Sequence, residues 1–266
     1  MRVSVGAFYN PHLAAATLEA AGLIEHLAMA DPPRPDDPHF GEVRRRFVLL
    51  LHDFLGQLSE PLGGVALERA RRLAALYDTP WAAEHLQRVH TTDGRAFVDY
   101  VFPPLYTEDL LADYVRNARA LREALARPLV LEPIPTYLRL PLPQLGEVEF
   151  VHRFYAESGC GMLLDVAHAS LSARYAGVGP REFVAALPLD RIVELHVAGT
   201  EPDRDLGGPW IGAAAPGREM LDLALYAAER APGLRAVTFD AFSTALTVET
   251  LHAGVRAIRD AFALPA

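Results

Sequence analysis

Three histidines and three carboxylates fall where short apolar runs end: His52, His85, His196, Glu132, Asp165 and Asp240. His168 follows Asp165 by three residues, just past its run. An apolar strand ending in an unpaired polar side chain is costly unless that group finds a partner. Imidazole and carboxylate donors without a thiolate suit iron, manganese or zinc. If the runs are strands that converge on one mouth, the seven residues share one cavity and form a metal centre. The other histidines read differently: His12, His39, His90, His152 and His252 fall on expected helices or loops and are predicted to be solvated. Glu25, Glu84 and Glu194 lie near strand ends but out of phase with a ligand. Alternation points them into the helix layer or behind the metal ligands. Asp53, Tyr137 and Tyr9 are expected to line the pocket, and Arg44–Arg46 to form a solvated helix face.

The elements that must position these groups alternate. Runs with strand character cover residues 3–8, 22–28, 47–52, 81–86, 128–133, 161–166, 191–197 and 235–240. Amphipathic stretches lie between them at 62–78, 108–126, 143–158, 214–231 and 246–261. The clearest is 108–126, where Leu111, Tyr114, Ala118, Leu121 and Leu125 recur every three or four residues behind a Thr107 cap and an acidic first turn. Strand and helix in alternation imply a parallel sheet, and eight such units imply closure into a (β/α)8 TIM barrel. In that fold the C-terminal strand ends build the active site. The Pro-rich segment 31–38 is too short to divide the chain and reads as a rigid loop, so a single domain spanning 1–266 is expected.

Composition narrows the chemistry. All 25 cationic residues are Arg, against 34 acidic ones, for a net charge of −9. Without Lys there is no Schiff base and no P-loop. The acidic balance lacks the footprint of a general nucleic-acid binder. Cys160 is the single cysteine, so neither an intramolecular disulfide nor a multi-thiolate site can form. No stretch of 18 apolar residues and no signal-like N-terminus appears, which predicts a cytoplasmic chain with no membrane partner.

Several runs in order resemble the multinuclear non-heme iron-dependent oxidative enzymes, whose type case is the iron subunit of methanobactin biosynthesis. They are SGCGMLLDVAHASLSA at 158–173 and LPLDRIVELHVAG at 187–199, preceded by PWAAEHL at 80–86, FPPLYTE at 102–108 and PLVLEPIPTY at 128–137. The similarity runs from about residue 20 to 262. It implies a TIM barrel with two or three irons that uses dioxygen to modify ribosomally made peptides. Under it, His52 matches the early barrel histidine and His85 the histidine that follows a Glu. Glu132 matches the acidic residue bridging irons, Asp165 and His168 the D-x-x-[N/H] motif, and His196 the histidine of H-x-A-G. Asp240 falls where the family usually has Glu. Two departures stand out. Relatives carry a further His and a D-x-H motif where this chain has GTEPDRDLGGPW at 199–210, so Asp205 aligns with the acid but Gly207 with the imidazole. The usual Glu-Asn pair beyond Glu25 is also missing.

The resemblance therefore implies a di-iron core with a weakened third position. His52, His85 and Glu132 are assigned to one iron, and Asp165, His196 and Asp240 to the other. Glu132 is the bridge, and His168 an extra ligand or a substrate-facing acid/base. The substrate would be a precursor peptide, with a partner protein for recognition. Two alternatives stand beside this reading. One is a divalent-metal isomerase, epimerase or hydrolase on the same barrel; the other is a catalytically weakened subunit that presents a peptide to a partner.

Overall fold

Runs rich in Val, Leu, Ile and Ala form eight strands: β1 (Ser4–Phe8), β2 (His26–Met29), β3 (Val48–His52), β4 (Ala82–Leu86), β5 (Leu129–Pro133), β6 (Gly161–Asp165), β7 (Ile192–Val197) and β8 (Ala236–Phe239). Each pairs in parallel with its sequence neighbours, and β8 pairs with β1, closing the barrel. The fold is thus a TIM barrel. The computed structural model describes residues 3–30, 37–55, 58–90, 97–136, 144–202, 209–211, 214–241 and 245–263.

The strands match the runs read from sequence to within a residue or two, apart from the second. There β2 begins only at His26, because the amides of Leu23 and Ile24 both bond back to the Ala20 carbonyl in a turn. Helices α1 (Ala14–Glu19), α2 (Phe40–Arg46), α3 (Gly64–Tyr77), α4 (Glu108–Leu125), α5 (Glu147–Ser158), α6 (Val166–Ala176), α7 (Pro180–Ala185), α8 (Arg218–Ala228) and α9 (Val248–Ala261) pack outside. The α4 stripe of Leu111, Tyr114, Ala118, Leu121 and Leu125 is wholly buried. Its first turn is fixed by Thr107, whose side chain accepts from the Leu110 amide. Helices α1, α6 and α7 were not anticipated, and of α2 only the Arg44–Arg46 face was. Neither were two antiparallel hairpins at the mouth, Arg88–His90 with Phe97–Phe102 and Thr200–Pro202 with Pro209–Ile211.

Alternation along the strands sets the interior. Leu50, Ala83, Val130, Leu163 and Ala236 pack with Trp81 in one apolar cluster. Two residues further along the same strands, and so on the same face, stand His52, His85, Glu132, Asp165 and Thr238. The barrel therefore carries an apolar plug beneath a polar layer. Among the described residues, no helix is long and apolar enough to cross a membrane.

Candidate metal centre

Register brings the polar layer together. His85 is directly opposite Glu132 in the β4–β5 pairing, and Asp165 is opposite His196 in β6–β7. Glu132 lies at the middle of the cluster. Its Oε2 is 3.4 Å from His52 Nε2 and 3.2 Å from His85 Nε2, while its Oε1 is 2.9 Å from His168 Nδ1. One carboxylate thus faces two histidines through one oxygen and a third histidine through the other. The His52 ring packs against those of His85 and His196, at centroid separations of 4.7 and 5.1 Å. Phe8, from β1, closes the apolar side against His52.

Asp165 has two tasks. Its Oδ1 caps α6, accepting from the amides of Ala167 at 2.6 Å and His168 at 2.8 Å. That cap starts the helix immediately after the strand and sets His168 in its first turn, facing the cavity. Asp165 Oδ2 makes no hydrogen bond, and the residue shares a triad of ligand atoms with His196 and Asp240. His196 Nδ1 lies 3.6 Å from Asp240 Oδ2.

Ligand atoms from these residues fall into overlapping triads: His52, His85 and Glu132; Glu132, Asp165 and His168; Asp165, His196 and Asp240. Within each, the atoms lie within 4.8 Å of one another. All seven residues come together in these overlapping triads. Six of them present polar atoms that are buried and make no hydrogen bond: His52 Nδ1, His85 Nδ1, both Glu132 oxygens, Asp165 Oδ2, His168 Nδ1 and His196 Nδ1. Buried charge without a partner costs several kcal/mol per ion, as an order of magnitude. A protein normally resolves that cost by pairing or by coordinating a cation. The donors are all nitrogen and oxygen, the set suited to iron, manganese or zinc.

Electrostatics favours the ligand forms of two key groups. Burial pushes the His52 imidazole down to about 4, helped by the neighbouring His85, so it is neutral near pH 7. Burial would raise the Glu132 carboxyl, but the nearby His85 and His168 outweigh it and hold it well below the usual range. Burial lifts Asp165 to about 6.

Two acids near the strand ends stand behind the cluster. Asp53 follows His52 in the left-handed region at φ 50° and places Oδ1 3.3 Å from His85 Nδ1. Glu84 fixes that turn by accepting from the amides of Phe54, Leu55 and His85 at 3.1, 2.8 and 2.9 Å. Asp53, Glu84 and His85 form a further triad, yet with Glu84 occupied by backbone donors it acts as a brace behind His85. We expect Asp53→Asn, which keeps a residue tolerant of left-handed backbone, to lower metal affinity by about 10–100-fold. Metal titration checks this, and the melting temperature of the metal-free protein should stay unchanged.

Glu194 corrects one expectation. It stands two residues before His196 and is therefore in phase with it, inside the barrel, where its Oε1 is 3.2 Å from His196 Nε2. Glu25 instead accepts from the Val5 amide. Tyr9 is buried, and its hydroxyl donates to Asp37. Arg44, Arg45 and Arg46 are exposed on α2, as expected. His12 and His152 are exposed, each with a ring nitrogen within hydrogen-bond reach of a carbonyl, of Leu246 and Ala186 respectively. His39 and His252 are half-buried, more enclosed than expected. Tyr137, Asp205, Gly207, most of the Pro-rich segment and the His90 side chain lie outside the described residues. His26 was missed altogether, because it begins a strand and no spacing singled it out; it is fully buried.

A sequence model of the family described as RiPP precursor modification enzyme MbnB/TglH/ChrH matches residues 25–211. The chain belongs to this family. That span contains every residue of the cluster except Asp240. Among relatives, a UPF0276 protein of Caulobacter vibrioides is 32% identical over 168 residues, covering 62% of this chain and 59% of that protein. A UPF0276 protein of Bordetella pertussis is 31% identical, covering 66% and 61%. These alignments thus span less than two thirds of the relatives' own length. Solved structures share the fold. A xylose isomerase-like TIM barrel protein from Mycobacterium smegmatis in complex with magnesium superposes with a TM-score of 0.64 at 13% identity, covering 98% of both chains. An L-ribulose 3-epimerase gives 0.61 at 16%, covering 98% of this chain and 96% of that one.

Proposed function

We propose that this chain is a dioxygen-dependent oxidoreductase that holds two iron ions and modifies residues of a ribosomally made precursor peptide, with a partner protein contributing to peptide recognition. The observation that carries the reading is the buried cluster of unpaired nitrogen and oxygen donors around Glu132, in a chain of a peptide-modifying family. His52, His85 and Glu132 would hold one ion; Asp165, His196 and Asp240 would hold the other, with Glu132 as the carboxylate between them, beside His52 and His85 through one oxygen and beside His168 through the other. When bound, such a pair supplies one-electron chemistry with dioxygen that no side chain can supply.

The residues themselves bind, orient and exclude water. His52, Glu132, Asp165 and His196 form the buried floor. His85, His168 and Asp240 keep 13%, 14% and 19% of their side chains exposed, so a peptide would approach along that rim. His168 would hold or accept a proton at Nδ1, next to Glu132. A third ion beside His168 would depend on carboxylates already committed: Glu132 serves the first ion, and Asp165 Oδ1 is taken by the helix cap. This supports two ions with a weak third.

The runner-up, a divalent-metal isomerase, epimerase or hydrolase, draws on the fold alone. Four imidazoles in one cavity favour iron, manganese or zinc over magnesium, which prefers oxygen ligands. A peptide-presenting subunit without catalysis is the remaining alternative. Metal analysis after purification without oxygen, followed by dioxygen uptake and peptide mass measurement, separates the three. We expect about two irons per chain and oxygen uptake that depends on the peptide. Zinc or manganese with oxygen-independent turnover would favour the runner-up, and no metal would favour the presenting subunit.

A further inference from the structure

His196 is backed by a chain of hydrogen bonds that crosses the barrel interior. Its Nε2 lies 3.2 Å from Glu194 Oε1. The same oxygen accepts from Thr238 Oγ1 at 2.8 Å, and Glu194 Oε2 accepts from Trp81 Nε1 at 2.8 Å. Thr238 Oγ1 is 2.9 Å from His26 Nε2, and His26 Nδ1 is 2.9 Å from Ser4 Oγ. Glu194, His196, Thr238 and His26 are at most 1% exposed.

Donor and acceptor roles follow from chemistry. An ionised carboxylate only accepts. The two oxygens of Glu194 take donors: Oε2 takes the Trp81 indole N–H, which can only donate, and Oε1 takes the Thr238 hydroxyl. Thr238 therefore spends its one proton on Glu194, and its oxygen accepts from His26 Nε2–H. Burial holds the His26 ring down to about 4, so it carries a single proton, and Nδ1 is free to accept from Ser4. Glu194 then has three donors: Trp81, Thr238 and the Nε2–H of His196. With Nε2 engaged by Glu194, Nδ1 is the ring nitrogen left for a metal; it is buried, faces Asp240 and makes no hydrogen bond.

The barrel is shaped to admit this chain. Gly6 lies beside His26 in the β1–β2 pairing, and a Cβ there would overlap both the His26 carbonyl and its ring. Only glycine leaves the space that the imidazole fills.

We infer that Glu194 is a positioning residue that fixes His196 as an Nδ1 metal ligand, and that Thr238, His26 and Ser4 hold Glu194 in that role. The inference rests on the proposed metal centre but needs neither iron nor dioxygen, so cobalt(II) tests it. A carboxylate behind a metal-bound imidazole orients the ring and raises its basicity, and losing such a partner costs about 10–100-fold in affinity.

The test is cobalt titration, read by affinity and by the visible spectrum of the loaded protein, on Glu194→Gln, Thr238→Val and Thr238→Ser, each alone and combined with His196→Ala. Glu194→Gln should weaken the affected cobalt site by about 10–100-fold and alter its spectrum. Thr238→Val should do so less, and Thr238→Ser, which restores the hydroxyl, should behave as the parent. In the His196→Ala background, Glu194→Gln should add nothing, since its effect passes through the missing ring. If Glu194→Gln does not fold, Thr238→Val against Thr238→Ser carries the same comparison. An equal loss with and without His196 would overturn the inference and leave the metal centre standing, as would unchanged affinity and spectrum. A parent protein that binds no cobalt would overturn both.

Discussion

Glu132→Ala loses metal more severely than any other single substitution in the cluster, and clearly more than His168→Ala. The reason lies in the two free oxygens of Glu132, one facing His52 and His85 and the other facing His168. Removing them takes away the anion that two cations would share and exposes the cations to each other. His168 contributes one nitrogen at the rim, where water can replace it. The loss for Glu132→Ala should exceed the roughly 10–100-fold typical of groups behind the ligands, whereas His168→Ala retains most of the metal. Glu132→Gln separates charge from volume. It fills the same space with a neutral amide, and we expect it to lose metal like the alanine variant. Metal content measured after gel filtration checks both, and equal content in Glu132→Ala and His168→Ala would remove the bridge from the account.

The second large effect is on stability. The metal-free cavity gathers Glu132, Asp165, Asp240 and Glu194, and no arginine pairs with any of the four among the ion pairs of the described residues. A cation that binds only the folded chain stabilises it by about 2.7 kcal/mol at a free concentration of 100 Kd. For a chain of this length that corresponds to a rise of about 5–10 °C in melting temperature. We expect such a rise on adding iron(II) without oxygen, reversal by a chelator, and no rise in Glu132→Ala. Thermal unfolding followed by circular dichroism would show it. A melting temperature indifferent to metal would mean that the carboxylates are compensated in some other way.

The barrel and the clustering of the donor residues were legible because both are local signals multiplied by symmetry. Six of the eight apolar runs carry a histidine or carboxylate at or next to their end, and closure of the parallel strands brings those six together. What escaped was of a different kind. Asp53 reaches His85 only because the backbone turns left-handed there, under three amide bonds to Glu84, and no spacing rule reports that. Glu194 was read as out of phase with His196, in the helix layer or behind the ligands; its separation of two puts both on the inward side, with Glu194 behind the His196 ring. His26 starts its strand instead of ending it, and its partners Thr238 and Ser4 come from β8 and β1. That network exists only across the closed barrel, joining residues more than 200 positions apart. Helix α6 was missed because its start is written into Asp165, a residue that reads equally well as the end of a strand and as a metal ligand.

The most direct test is anomalous diffraction at the iron edge from crystals grown without oxygen. Two well-occupied iron peaks are expected in the barrel mouth, one beside His52, His85 and Glu132 and one beside Asp165, His196 and Asp240, with a third peak beside His168 weaker or absent. No iron peak within reach of Glu132 would contradict the account, as would three peaks of equal strength.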